Sequence, residues 1–190
     1  EAHEVMPAVW VGTRDLCVHD ELDQAAAEAG PARDAKALRV WPAEPVKRAE
    51  AQARLRDAIH AVAEPLLPAS IDHVVDLGCS VGVSTQALAH WLNARAERNA
   101  APCPTLIGLD LSPEMLSVAR VRDPQGLVQE WRHAAAEATG LVSGSVDLVS
   151  LQFVCHELPQ AATRAVLAEA FRLLRPGSVL LMVDQDPGSS

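Results

Sequence analysis

The chain has 190 residues, 49% of them hydrophobic and 22% charged, with a formal net charge of −9. That suffices for one globular domain with an arm and excludes a collagen, a coiled coil or a long disordered tail. No run approaches the roughly 20 apolar residues of a membrane span, and the negative charge disfavours nucleic acid as a partner, because phosphates reward clustered Lys and Arg.

Residues 1–45 are broken by Pro7, Gly12, Gly30, Pro31, Pro42 and Pro45 and read as an amino-terminal arm or lid. Within it Ala8–Val11 and Leu38–Trp41 suit short strands, and Asp20–Ala29 suits a helix ending at Gly30-Pro31. Residues 46–190 form a regular domain. Leu55, Ile59, Val62 and Leu66 recur at helical spacing up to Pro65 and Pro68. A strand at Ile71–Leu77 enters a glycine turn, and a helix over Thr85–Arg95 carries Leu88, Trp91 and Leu92 on one face. The second strand is Leu106–Leu109, after which Ser112-Pro113-Glu114 opens a helix with Ser as N-cap, Pro at the first position and Glu at the positive end of the dipole. Strands are expected at Leu127–Arg132 and Val146–Leu151. A helix over Gln160–Leu174, burying Leu167, Ala170, Phe171 and Leu174, is then stopped by Arg175-Pro176-Gly177 before a fifth strand, Val179–Val183.

Alternating helices and apolar strands predict an α/β fold: a Rossmann-like doubly wound sheet of five parallel strands in the order 3-2-1-4-5, covered on both faces. The uniformly apolar fifth strand would be an open pairing template at the sheet edge. Something is therefore expected beside it: the arm, a second copy or another protein.

In such sheets ligands sit at the carboxyl ends of the strands. After the first strand, Asp76 is followed by Gly78, Cys79, Ser80 and Gly82, a carboxylate beside a turn of small residues that lets a ligand approach the backbone. The carboxylate suits a cation and suits a pyrophosphate poorly, and Val83 stands where a dinucleotide fingerprint has its third glycine. A nicotinamide-dependent dehydrogenase is disfavoured on that ground. After the second strand, Asp110 can accept both hydroxyls of a ribose, with Leu111 offering an apolar surface to a base. Together the two turns describe a nucleoside with a cationic amino-acid tail, S-adenosyl-L-methionine.

The segments Asp76–Gly82, Gly108–Glu114, Val146–Pro159 and Leu174–Asp184 resemble the successive motifs of class I S-adenosylmethionine-dependent methyltransferases, nearest to those of ubiquinone and menaquinone biosynthesis, over residues 46–186. The resemblance implies that Asp76 holds the methionine ammonium, that the Gly78–Gly82 backbone lines the methionine tail and that Asp110 binds the ribose. Ala135 replaces the acid that commonly meets the adenine amine, leaving Ala136 and Glu137 to compensate. Gln152 would touch the adenine or the acceptor, and His156 is the candidate base. Cys17, Cys79, Cys103 and Cys155 stand apart without zinc-ligand spacing, so they read as free thiols of a reducing compartment, cytoplasmic or in an organelle, with no metal site. The expected activity is methyl transfer to a small, apolar acceptor. Because of Ala135 and the absence of residues for the family's last strands, a truncated, inactive methyltransferase-like subunit of an assembly is the alternative.

Overall fold

The computed structural model describes residues 8–12 and 45–184. The expected arm elements at Leu38–Trp41 and Asp20–Ala29 lie outside them. The described residues form six strands, β1 (Ala8–Gly12), β2 (His73–Leu77), β3 (Thr105–Asp110), β4 (Glu130–His133), β5 (Val146–Gln152) and β6 (Leu174–Asp184), with helix α1 (Pro45–Ala63) ahead of β2, α2 (Val83–Arg98) between β2 and β3, α3 (Pro113–Arg122) between β3 and β4, and α4 (Gln160–Leu173) between β5 and β6. All neighbours pair in parallel, in the order β1-β6-β5-β2-β3-β4. The five core strands, β2 to β6, thus follow the predicted 3-2-1-4-5 order. The edge of the last is covered by the arm: Ala8 lies opposite Leu180 and Gly12 opposite Asp184.

The strand period of two divides the core cleanly between the two faces of the sheet. Val74, Leu106, Leu148, Val179, Leu181 and Val183 pack with Leu55, Ile59, Leu88 and Leu92 of α1 and α2. Val75, Leu77, Leu109, Val149, Leu151 and Leu180 pack with Val166, Ala170 and Leu173 of α4. Each large aliphatic side chain buried this way contributes about 1.5–3 kcal/mol.

Several expectations need correction. The third core strand begins at Glu130, later than the run from Leu127 suggested, because the Asp123 carboxylate accepts the Leu127 and Val128 amides at 2.9 and 3.0 Å. α4 runs straight into β6 at Leu174, and Arg175-Pro176-Gly177 is an excursion inside the strand, between its pairings at Val146 and Leu148. Arg175 pins that excursion by donating to Asp147 Oδ1 at 2.7 Å and Ser145 O at 2.9 Å. Phe171 is half exposed; the inward position next to Ala170 goes to Glu169, whose carboxylate accepts from the Thr139 amide and hydroxyl and from Arg172. On α1 and its continuation, Ala63 and Leu67 are buried in place of Val62 and Leu66.

Candidate functional site

At the carboxyl ends of β2, β3 and β5 lies an open cleft of about 530 Å³. Its walls bring together Asp76, Gly78, Cys79, Ser80, Asp110, Leu111, Ala136, Glu137 and Gln152 from the sequence reading, and add Val83, Ser84, Met115, Phe153, Val154, Glu157 and Leu158. Gly82 and His156 are not in the wall.

Strand register builds the floor. Asp76 on β2 lies opposite Ser150 on β5, and the period of two puts Gln152 on the same face as Ser150. The Asp76 carboxylate is buried and accepts from Thr85 Oγ1 at 2.6 Å and from the Ser150 hydroxyl. Burial raises its pKa from 3.8 to about 6, the nearby Asp110 charge adds to the rise, and the two hydroxyls oppose it. Gln152 Nε2 in turn donates to Ser150 Oγ at 3.0 Å. Asp76 is therefore the negative base of a hydrogen-bonded row beneath the cleft.

The two loops above it are sewn together. The Gly78 and Cys79 amides donate to Leu109 O at 2.8 and 2.9 Å, and the half-buried Asp110 accepts from Ser80 N at 2.7 Å and Ser112 N at 2.8 Å. Each Asp110 oxygen thus spends one lone pair on backbone and keeps another. Ser80 adopts the left-handed region with φ 49°, a conformation that favours glycine. Ser112 caps α3 by accepting from Met115 N at 3.2 Å. Burial, with the charges of Asp76 and Asp110, drives the Cys79 thiol pKa upward, so it stays protonated.

Two glycines have steric reasons. A Cβ on Gly78, φ 74°, would lie 2.6 Å from Val154 Cγ2 across the cleft, and one on Gly82, φ 78°, would lie 2.5 Å from Trp131 Cη2. Gly82 is thus a packing point for Trp131, beneath the turn. Neither Trp131 nor Ser150 was singled out from the sequence. Ser150 had a usable signal, its parity with Gln152; Trp131 had none, because its contact crosses from β4 to the α2 turn.

His156 sits on the short turn Cys155–Glu157. Its Nδ1 is 2.7 Å from Asp184 Oδ1, and Asp184 Oδ2 accepts the Cys155 and His156 amides at 2.7 and 3.2 Å. The carboxylate at the end of β6 therefore anchors the turn that carries Glu157 and Leu158 into the cleft wall.

A methyltransferase-domain family model matches residues 75–182, which contain every residue of the cleft wall. The chain belongs to that family of S-adenosylmethionine-dependent methyltransferase domains. It is 35% identical over 119 residues to a demethylmenaquinone methyltransferase of Lactiplantibacillus plantarum, covering 61% of this chain and 46% of that one. It is 34% identical over 121 residues to a carboxy-S-adenosyl-L-methionine synthase of Chromohalobacter salexigens, covering 60% and 40%. This domain chain spans less than half the length of either. The fold resembles the crystal structure of the YcgJ protein of Bacillus subtilis, with a TM-score of 0.55 at 21% identity over 69% of this chain and 50% of that one. Among the described residues no cluster of His, Cys, Asp and Glu could hold a metal ion, and no helix is long and apolar enough to cross a membrane.

Proposed function

We propose that the domain binds S-adenosylmethionine in the cleft and transfers its methyl group to a small acceptor with an apolar body. The observation that carries the reading is the convergence of two carboxylates, the buried Asp76 and the half-buried Asp110, on one cleft whose residues suit a cationic nucleoside. The residues fit the group: Asp110 keeps lone pairs for ribose hydroxyls, Leu111 and Met115 offer apolar cover for a base, and Glu137 stands two residues after Ala135, on the cleft wall.

In this reading Asp76 supplies negative charge beneath the amino-acid tail, and the first-turn backbone of α2 at Val83 and Ser84 faces its carboxylate. Bound S-adenosylmethionine supplies a methyl already activated by a positive sulfur. What remains for the protein is to align the acceptor and exclude water, which Phe153, Val154 and Leu158 do on the far wall. His156 is assigned a positioning role, since its ring is tied to Asp184 and lies outside the wall.

Calorimetric titration with S-adenosylhomocysteine tests the reading. Saturable binding is expected, and Asp110→Ala should weaken it by about 1.5–3 kcal/mol, roughly ten- to a hundredfold, with the melting temperature reported alongside. No heat with the folded wild-type chain would refute it.

A further inference from the structure

The same cleft constrains the chemistry of the acceptor. Gln152 Nε2 donates to Ser150 Oγ at 3.0 Å, which fixes the orientation of the side-chain amide. Gln152 Oε1 is left over: it is buried, in a residue 8% exposed on the cleft wall, with no hydrogen-bond partner among the described residues. An orphaned buried acceptor has lost its water without a replacement, and a ligand donor would restore that bond.

Charge narrows the donor further. Asp76, Asp110, Glu137 and Glu157 line the cleft, while no Arg, Lys or His is in its described wall; the neighbouring His156 ring is held by Asp184. Among the described residues nothing on the cleft wall would neutralise a carboxylate or phosphate acceptor, which would meet like charge there. Gln152 stands on the β5 side, beside Phe153 and Val154 and across the cleft from Asp110.

We infer that the acceptor is an amine on an apolar body, and that Gln152 Oε1 receives its N–H. This rests on the proposed donor site, which occupies the Asp110 side and leaves the β5 side to the acceptor. The bound ammonium first loses one N–H proton to water at the open rim; the freed nitrogen lone pair then forms the N–C bond, and the C–S electron pair stays on sulfur as a neutral thioether.

The test is binding to the chain saturated with S-adenosylhomocysteine, using three molecules with one apolar body: 2-phenylethylamine, 2-phenylethanol and phenylacetate. The amine should bind at least tenfold more tightly than phenylacetate. Gln152→Leu should weaken the amine about tenfold and weaken S-adenosylhomocysteine by a clearly smaller factor. Preference for the alcohol or the carboxylate, or no amine binding at millimolar concentration, overturns the inference and leaves the donor reading standing. Equal loss of S-adenosylhomocysteine affinity in Gln152→Leu reassigns Oε1 to the donor and also overturns it. Failure of the wild-type chain to bind S-adenosylhomocysteine overturns both.

Discussion

Asp76 and His60 are buried titratable side chains whose effects on stability run in opposite directions with pH. The folded chain holds the Asp76 proton up to about pH 6 against a usual 3.8, so it binds more protons than the unfolded chain between those values, and stability falls as pH rises through that window. Asp76→Asn removes the penalty while leaving the Thr85 and Ser150 hydroxyls a partner. It should raise the melting temperature at pH 8, by the equivalent of up to about 3 kcal/mol, give no gain at pH 4, and weaken binding of S-adenosylmethionine. A melting temperature lowered at pH 8 would contradict this account of Asp76. His60 has the opposite sign. It stacks on Trp91 with ring centroids 4.3 Å apart, and burial lowers its pKa from 6.5 to about 4. The unfolded chain binds the extra proton there, so stability present above pH 6.5 is lost as pH falls toward 4. His60→Phe keeps a stackable ring without the proton, and its melting temperature relative to wild type should climb steadily as pH is lowered across that window. A difference independent of pH would show that His60 is not buried neutral.

At the scale of elements, the α2 turn and β4 are locked by the contact of Gly82 with Trp131. Gly82→Ala combines a positive φ with a Cβ 2.5 Å from an indole carbon of Trp131 and 3.2 Å from the Ala119 Cβ, and should cost about 1–3 kcal/mol. Thermal unfolding measures this; an unchanged melting temperature would mean that the turn rearranges freely. Elements governed by local chemistry were legible in the sequence. Ser112 and Pro113 marked the start of α3, and the apolar runs after His73, Thr105 and Ser145 marked strands, because capping and burial act within a few residues of where they are written. Asp76, Asp110 and Gln152 were legible for the same reason, each standing at a strand end. Features set by distant partners were hidden. The late start of β4 depends on Asp123 reclaiming two amides, the exposure of Phe171 depends on Thr139 and Arg172 satisfying a buried Glu169, and the turn at His156 depends on Asp184, 28 residues away.

The whole sheet depends on how its β6 edge is closed, and the closure is tied to the cleft. Without β1, the apolar run Val179–Val183 would present unpaired backbone groups, a template on which a second chain can add a strand. The residue opposite Gly12 in that ladder is Asp184, whose carboxylate holds the Cys155 and His156 amides and the His156 ring. Loosening the end of β6 should therefore loosen the turn that supplies Glu157 and Leu158 to the far wall. A variant lacking residues 1–12 should melt at lower temperature and self-associate in a concentration-dependent way beyond the intact chain, as read by light scattering. Its Cys155 and His156 amides should also lose hydrogen-exchange protection, while those of β2 and β3 keep theirs. Adding a peptide of residues 1–12 should reverse all three effects, since the strand would pair in trans as it does in cis. If instead the shortened chain keeps its melting temperature, its mass and the protection at Cys155, then β1 adds no support to the edge, and the far wall is held by Asp184 acting from a strand that is stable alone.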